Sequence, residues 1–238
     1  MNPQELLRAG RLDEAIEALS AELRVEPGDP RRRIFLFELL CFAGAYQRAE
    51  KQLDILAQRG PDSAMGTLLY RSALHAEQIR QEMFVERNFP SGPAPRPVAG
   101  RLNGSQFQSL TDADPRVGAR LEVHAAGQYT WIPFEQIASV RMQPPGRLRD
   151  LLWAPAAVRT GADFRGVELG EVLVPALTPL TWQDSDDNIR LGRVTEWREL
   201  GPGIEGPFGQ KMLLVDGEEF PLLELRELDI VPATVPVS

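Results

Sequence analysis

The chain has one cysteine, two histidines and no apolar run approaching the ~18 residues that a membrane span needs. Cys41 has no partner for an internal disulfide, and its neighbours Leu39, Leu40 and Phe42 point to a buried, unreactive thiol in a reducing compartment. With only His75 and His124 available, His-rich metal sites are excluded and most triad chemistry would hang on one residue. No basic stretch followed by an apolar run opens the sequence, so a soluble cytoplasmic protein is expected. Nucleophile and phosphate motifs are missing too: there is no Gly-x-Ser-x-Gly elbow and no Gly-Lys-Ser/Thr phosphate loop. Gly201, Gly203 and Gly206 have dinucleotide-motif spacing, but Pro202 and Pro207 disfavour the helix that must follow.

What is present is 238 residues, enough for one large or two small domains without a disulfide or metal staple. Against 34 acidic residues there are 26 basic ones, of which only Lys51 and Lys211 are lysines. The net charge of -8 gives no electrostatic reason to bind nucleic acid or an acidic membrane.

Composition changes near residue 90. All four tryptophans and 15 of the 20 prolines follow it. Between the two regions Pro90-Ser-Gly-Pro-Ala-Pro-Arg-Pro97 fits an extended connector that cannot continue a helix. The predicted organisation is therefore a helical domain over 1–89, a linker over 90–100, a β-rich domain over 101–231 and a frayed tail over 232–238.

The first region has apolar residues at helical spacing, as in Leu12, Ala15, Ile16, Leu19 and Leu23. It also repeats. Shifted by 34 positions, Leu6 falls on Leu40, Ala9 on Ala43, Gly10 on Gly44, Ala15 on Ala49, Leu19 on Leu53 and Pro27 on Pro61. The glycines break the chain between helices, the alanines allow close approach and the prolines end each unit. This resembles the tetratricopeptide repeat, although the first helix is short and that family's early Trp is missing. A further helix is predicted from Leu68 to Met83, giving about five.

The second region loses the helical period. Arg120–Ala125, Gly170–Pro175, Arg193–Trp197 and Lys211–Val215 read as strands, and Asp216-Gly217 as the turn of a hairpin to Glu219–Leu223. Helical pieces are expected over Phe134–Val140 and Leu148–Trp153. The predicted fold class is α+β, with tetratricopeptide-like antiparallel helical hairpins followed by a β-rich α+β domain.

Each chemical constellation has a plainer structural reading beside it. Asp112 and Asp114 next to Arg116 could form a paired-carboxylate site. Glu122 and His124 share one strand face and fit a half-exposed surface pair. The run Asp184-Ser-Asp186-Asp187-Asn188 invites calcium but lacks the glycine and distal Glu of a calcium loop, and reads better as a solvated loop. Trp131, Trp153 and Trp197 lie beside Pro or charged residues, which suits either core anchors or an aromatic interface patch.

Those same aromatic segments carry a resemblance. Phe107 with Asp112-Ala-Asp114, Gly127-Gln-Tyr129-Thr-Trp131-Ile-Pro133-Phe134, Arg149-Asp150-Leu-Leu-Trp153-Ala-Pro155-Ala156 and Leu191-Gly-Arg193-Val-Thr195-Glu196-Trp197 are similar to motifs of the ImpE family, also called TagJ or SciE. Its members are accessory proteins encoded with bacterial type VI secretion systems. The resemblance implies a non-catalytic cytoplasmic adaptor without cofactor or metal. Its implied partners are the small subunit of the contractile sheath (TssB-like) and the AAA+ ATPase that disassembles the sheath (ClpV-type). Asp112, Asp114, Trp131, Pro133, Arg149, Asp150, Trp153, Arg193, Glu196 and Trp197 become motif residues, structural or interfacial.

By analogy with tetratricopeptide units, Arg31, Ile34, Glu38, Cys41 and Phe42 would line a concave groove for an amphipathic helix, with Met65, Leu68, Ser72 and His75 one period later. The plainer reading has Ile34, Phe42 and Leu68 packing only between hairpins. A competing hypothesis places a small-molecule or metal-dependent enzyme in the β-rich region, with Asp112, Asp114, His124 and Asp150 converging on one centre.

Overall fold

A computed structural model describes residues 1–231 other than 163 and 167. The expected tail over 232–238 lies outside the described residues. Five helices come first: α1 (Pro3–Arg8), α2 (Leu12–Val25), α3 (Pro30–Phe42), α4 (Tyr46–Ala57) and α5 (Pro61–Glu86). Local chemistry sets their ends. Asn2 and Glu5 form a capping box on α1, and Asp29 accepts from the Arg31 and Arg32 amides at 2.8 and 3.1 Å to start α3. The repeat glycines Gly10 and Gly44 take φ of 71° and 66°, a left-handed turn that an L side chain resists. Ala15 and Ala49 are fully buried between neighbouring helices, as the 34-residue period requires.

Residues 88–98 form no helix or strand, and Arg96 is tied by its backbone and side chain to Glu135 at 2.9 and 2.6 Å. Thirteen strands follow among the described residues: β1 (Ala99–Leu102), β2 (Ser105–Phe107), β3 (Leu110–Asp112), β4 (Arg120–Ala125), β5 (Gln128–Pro133), β6 (Ile137–Met142), β7 (Trp153–Thr160), β8 (Gly170–Pro175), β9 (Glu196–Gly201), β10 (Ile204–Phe208), β11 (Met212–Val215), β12 (Glu218–Pro221) and β13 (Glu227–Val231). They make an eight-stranded antiparallel sheet in the order β2-β1-β13-β6-β7-β8-β4-β5, a three-stranded sheet β12-β11-β3 and a separate β9–β10 hairpin. The protein is α+β, as its sequence periodicities require.

Three local expectations are corrected. Phe134–Val140 is helical only over Phe134–Gln136 and then runs as β6, because Ile137, Val140 and Met142 serve the sheet core. Leu148–Leu151 is a single 3₁₀ turn, and Trp153 already begins β7. The Arg193–Trp197 strand starts only at Glu196, since the Arg193 amide bonds back to the Asn188 carbonyl at 2.8 Å, closing the single-turn helix α6 (Asp187–Arg190).

Two apolar clusters hold the fold. One lies inside the sheets and includes Phe107, Phe134, Val158 and Leu228. The other fills the helical array yet also takes Leu152, Trp153 and Leu191 from the β-rich region. The array is thus built onto the sheet through a shared core.

Candidate functional site: the joint and the groove beside it

α5 lies along β4 and β5, and this contact explains β4. Leu121 and Val123 face the sheet core, while Glu122 and His124 face α5. The expected half-exposed Glu/His pair is therefore corrected: both residues are buried, because a helix covers their face.

Buried charges need partners, and this joint supplies a chain of them. Arg80 of α5 donates to Glu122 at 2.7 Å, to Glu77 at 3.1 Å and to the Leu177 carbonyl at 2.8 Å. Glu122 also takes Lys211 and the Tyr129 hydroxyl, and Lys211 reaches on to Asp112. Glu77 accepts from Gln81 and from the Trp153 indole, at 2.5 and 3.1 Å. Gln81 in turn accepts from the Leu180 amide and the Trp182 indole at 2.9 and 3.2 Å.

Within this chain, three carboxylates meet two cations. Burial raises the Glu122 pKa, but Arg80 and Lys211 more than reverse it, so Glu122 stays ionised. Glu77 likewise ends below its ordinary value, burial being outweighed by Arg80, His124 and its hydrogen bonds. Asp112 has only a share of Lys211. Burial and the Glu122 charge push it up to about 6 despite that share. Burial pulls His124 down to about 4, so it stays neutral near pH 7. Both His124 ring nitrogens lack a hydrogen-bond partner among the described residues.

The other motif residues are mostly fasteners. Arg149 pairs with Glu38 at 3.0 Å and lies 4.8 Å from the Tyr70 ring centre, joining the β-rich region to α3 and α5. Asp150 closes its own turn by accepting from the Gly146 and Arg147 amides, each at 2.9 Å. Asp114 is fully buried against Arg116 at 2.7 Å. Trp131 stacks on Phe89 with centroids 5.9 Å apart, and Pro133 ends β5 opposite Arg120. Arg193 donates to the Leu7 and Arg8 carbonyls at 2.7 and 3.1 Å, satisfying the C-terminal end of α1. Glu196 pairs with Arg198 at 2.8 Å on the surface. Trp153 is buried, whereas Trp197 is 43% exposed.

The nine predicted groove residues do not form one surface. Glu38, Cys41 and Phe42 are buried, and Cys41 and Phe42 belong to the shared core. The expectation that they line an open face is corrected, because the array turns its inner side onto the β-rich region. Burial also pushes the Cys41 thiol well up, which makes it unreactive. Ile34 packs against the same core, while Arg31 and His75 are exposed elsewhere.

Met65, Leu68 and Ser72 do line a groove, of about 790 Å³, between the first half of α5 and the outer sheet face. Leu69 and Ala73 join them from the helix, opposite Pro155, Ala157 and Leu173, with His124 at the floor. α5 covers β4 and β5 but leaves β7 and β8 open, and Pro155 and Ala157 are too small to fill the trough. The exposed Met65, Leu68 and Leu69, at 72%, 57% and 59%, make its rim apolar.

The expected convergence of Asp112, Asp114, His124 and Asp150 on one centre is also corrected. Of Asp112, Asp114, His124 and Asp150, only His124 lines the groove, and each of the three carboxylates is already engaged. Among the described residues no group of His, Cys, Asp and Glu is placed to hold a metal ion. Sequence reading missed Glu77, Arg80 and Lys211. Arg80 and Glu77 gave a signal, an ionic i, i+3 pair on a helix that must pack against a sheet.

The fold defines a tetratricopeptide-type helical array fused through one core to an antiparallel β domain. Residues 6–71 match the family model described as tetratricopeptide repeat, and residues 104–229 match that of the ImpE protein. The chain belongs to the ImpE family. It is 34% identical over 269 aligned positions to the type VI secretion system accessory component TagJ of Pseudomonas aeruginosa, covering 98% of this chain and 92% of that protein. The crystal structure of a Vibrio parahaemolyticus protein has the same fold, with a TM-score of 0.84 and 21% identity over 96% of this chain and 97% of that one.

Proposed function

We propose that the protein is a non-catalytic, cytoplasmic accessory component of a type VI secretion system. It captures a helix of the small sheath subunit and links the sheath to the AAA+ ATPase that takes it apart. Membership of the ImpE family and similarity to TagJ support the system. The apolar rim formed by Met65, Leu68 and Leu69 carries the binding reading. Its spacing of three and four residues on one helix presents a continuous stripe to an amphipathic partner. No helix among the described residues is long and apolar enough to cross a membrane.

Calorimetric titration of the full chain with the folded small sheath subunit, and with its N-terminal helix as a peptide, tests this reading. Binding is expected with both. No heat at tens of micromolar with the folded subunit would overturn it.

A further inference from the structure

The β9–β10 hairpin belongs to neither larger sheet. Its register sets Trp197 opposite Pro207 and Glu199 opposite Glu205. Alternation along the strands puts these four residues on one face. The opposite face carries Arg198, which lies 5.4 Å from the Phe208 ring centre and pairs with Asp184, so that face is the one turned toward the protein. On the Trp197 face Pro207 is buried, while Trp197 and both glutamates are exposed. The Trp197 Nε1 donates to Glu219 on β12 at 2.6 Å, which brings a third exposed carboxylate to the indole.

Like charges directly opposite each other on paired strands repel. Among the described residues none of Glu199, Glu205 and Glu219 makes an ion pair. Val194, just before β9, and Ile204, the first residue of β10, are exposed as well.

We propose that this hairpin face docks a protein segment presenting an arginine or lysine beside an apolar side chain, the cation lying against the Trp197 indole among the three carboxylates. A cation is attracted to the indole face, and carboxylates around the ring strengthen its hold. Its arrival removes the Glu199–Glu205 repulsion that the free chain carries. Exposed tryptophan is also the residue type that most often dominates a binding interface. The same carboxylates repel nucleic acid and anionic lipid. This surface lies on different elements from the α5 groove, so the two stand or fall separately.

The test titrates the ¹⁵N-labelled full chain with a synthetic peptide of alternating arginine and leucine, and with its glutamate-for-arginine counterpart. The four indole N–H signals are read, with Trp197 assigned from Trp197→Phe. The Trp197 signal is expected to move with the arginine peptide alone. Affinity is expected to fall about tenfold in Glu199→Arg/Glu205→Arg and about fivefold in Glu199→Gln/Glu205→Gln, which keeps the side-chain size if the charge reversal unfolds the hairpin. A Trp197 signal unmoved at millimolar arginine peptide, movement of the other indoles without it, an equal response to the glutamate peptide, or unchanged affinity in the glutamine variant would each overturn the proposal.

Discussion

The indole of Trp182 lies against the backbone of Gly44, so close that a Cβ there would collide with the ring. The preceding repeat has the same arrangement, since a Cβ on Gly10 would meet the Asn188 Oδ1 at 2.7 Å. The two glycines that mark the 34-residue period are therefore both places where the segment 182–193 comes close to the backbone of the helical array. They turn the chain, and they also leave room for the β-rich region to dock.

Gly44→Ala should accordingly be costlier than the backbone strain alone. The left-handed conformation accounts for about 1–2 kcal/mol, and the collision with Trp182 adds to it. In a Trp182→Ala background the collision disappears and only the strain remains. Urea unfolding of the four proteins of this cycle should give a coupling of at least about 1 kcal/mol between the two sites. Additive losses would mean that the indole yields freely and does not press on the turn.

His124 should shape the acid limb of stability. Burial lowers its pKa from 6.5 to about 4, so the stability tied to keeping it neutral is fully present above 6.5 and is lost as pH falls through 4. Asp112, raised to about 6, acts in the opposite sense: its contribution is present below its ordinary value and is lost as pH rises through 6. Comparing the native chain with His124→Phe isolates the histidine. Phe keeps the aromatic contacts with Tyr129 and Trp153, and it forfeits no hydrogen bond. Between about pH 7.5 and pH 5 the native chain should lose roughly 2 kcal/mol more than the variant. Parallel curves would show that His124 takes up its proton as readily folded as unfolded.

The helical array and its repeat were legible because periodicity and glycine placement are local. The strands at Arg120–Ala125 and Gly170–Pro175 were legible for the same reason. The joint was not. Glu122 and His124 look like a surface pair until a helix from more than 40 positions upstream covers them, and only the Arg80 contact shows why they are buried. The predicted concave groove failed likewise. Tetratricopeptide spacing says which residues share a face, but not that this face is taken by Trp153 and Trp182 from the same chain. Asp187, read as part of a solvated acidic loop, turns out to serve a helix far away in sequence.

That role of Asp187 is testable. α2 starts at Leu12 without a side-chain cap of its own, and the Leu12 amide donates instead to the Asp187 Oδ2 at 2.6 Å. Arg190 adds an ion pair to Asp13 at 3.0 Å. Asp187→Ala should cost about 1 kcal/mol, as loss of an N-cap does. Hydrogen exchange should quicken several-fold at the amides of Leu12–Ala15, while β4 and β7 stay protected. Uniform quickening across the chain would instead mean that the clamp secures the whole fold rather than the first hairpin.

Binding to the sheath helix separates the groove beside α5 from the face first expected between the hairpins. Leu68 is more than half exposed and lines the groove, so Leu68→Glu leaves the core intact and places a charge where an apolar stripe should seat. Burying an unpaired carboxylate there should weaken the helix peptide by at least about tenfold, the cost of losing a central apolar contact and desolvating a charge. Arg31 lies on the exposed start of α3, away from that groove, and Arg31→Glu should change affinity by less than about threefold. The reverse order, with Arg31 decisive and Leu68 silent, would return the binding site to the hairpin face even though Cys41 and Phe42 are buried there.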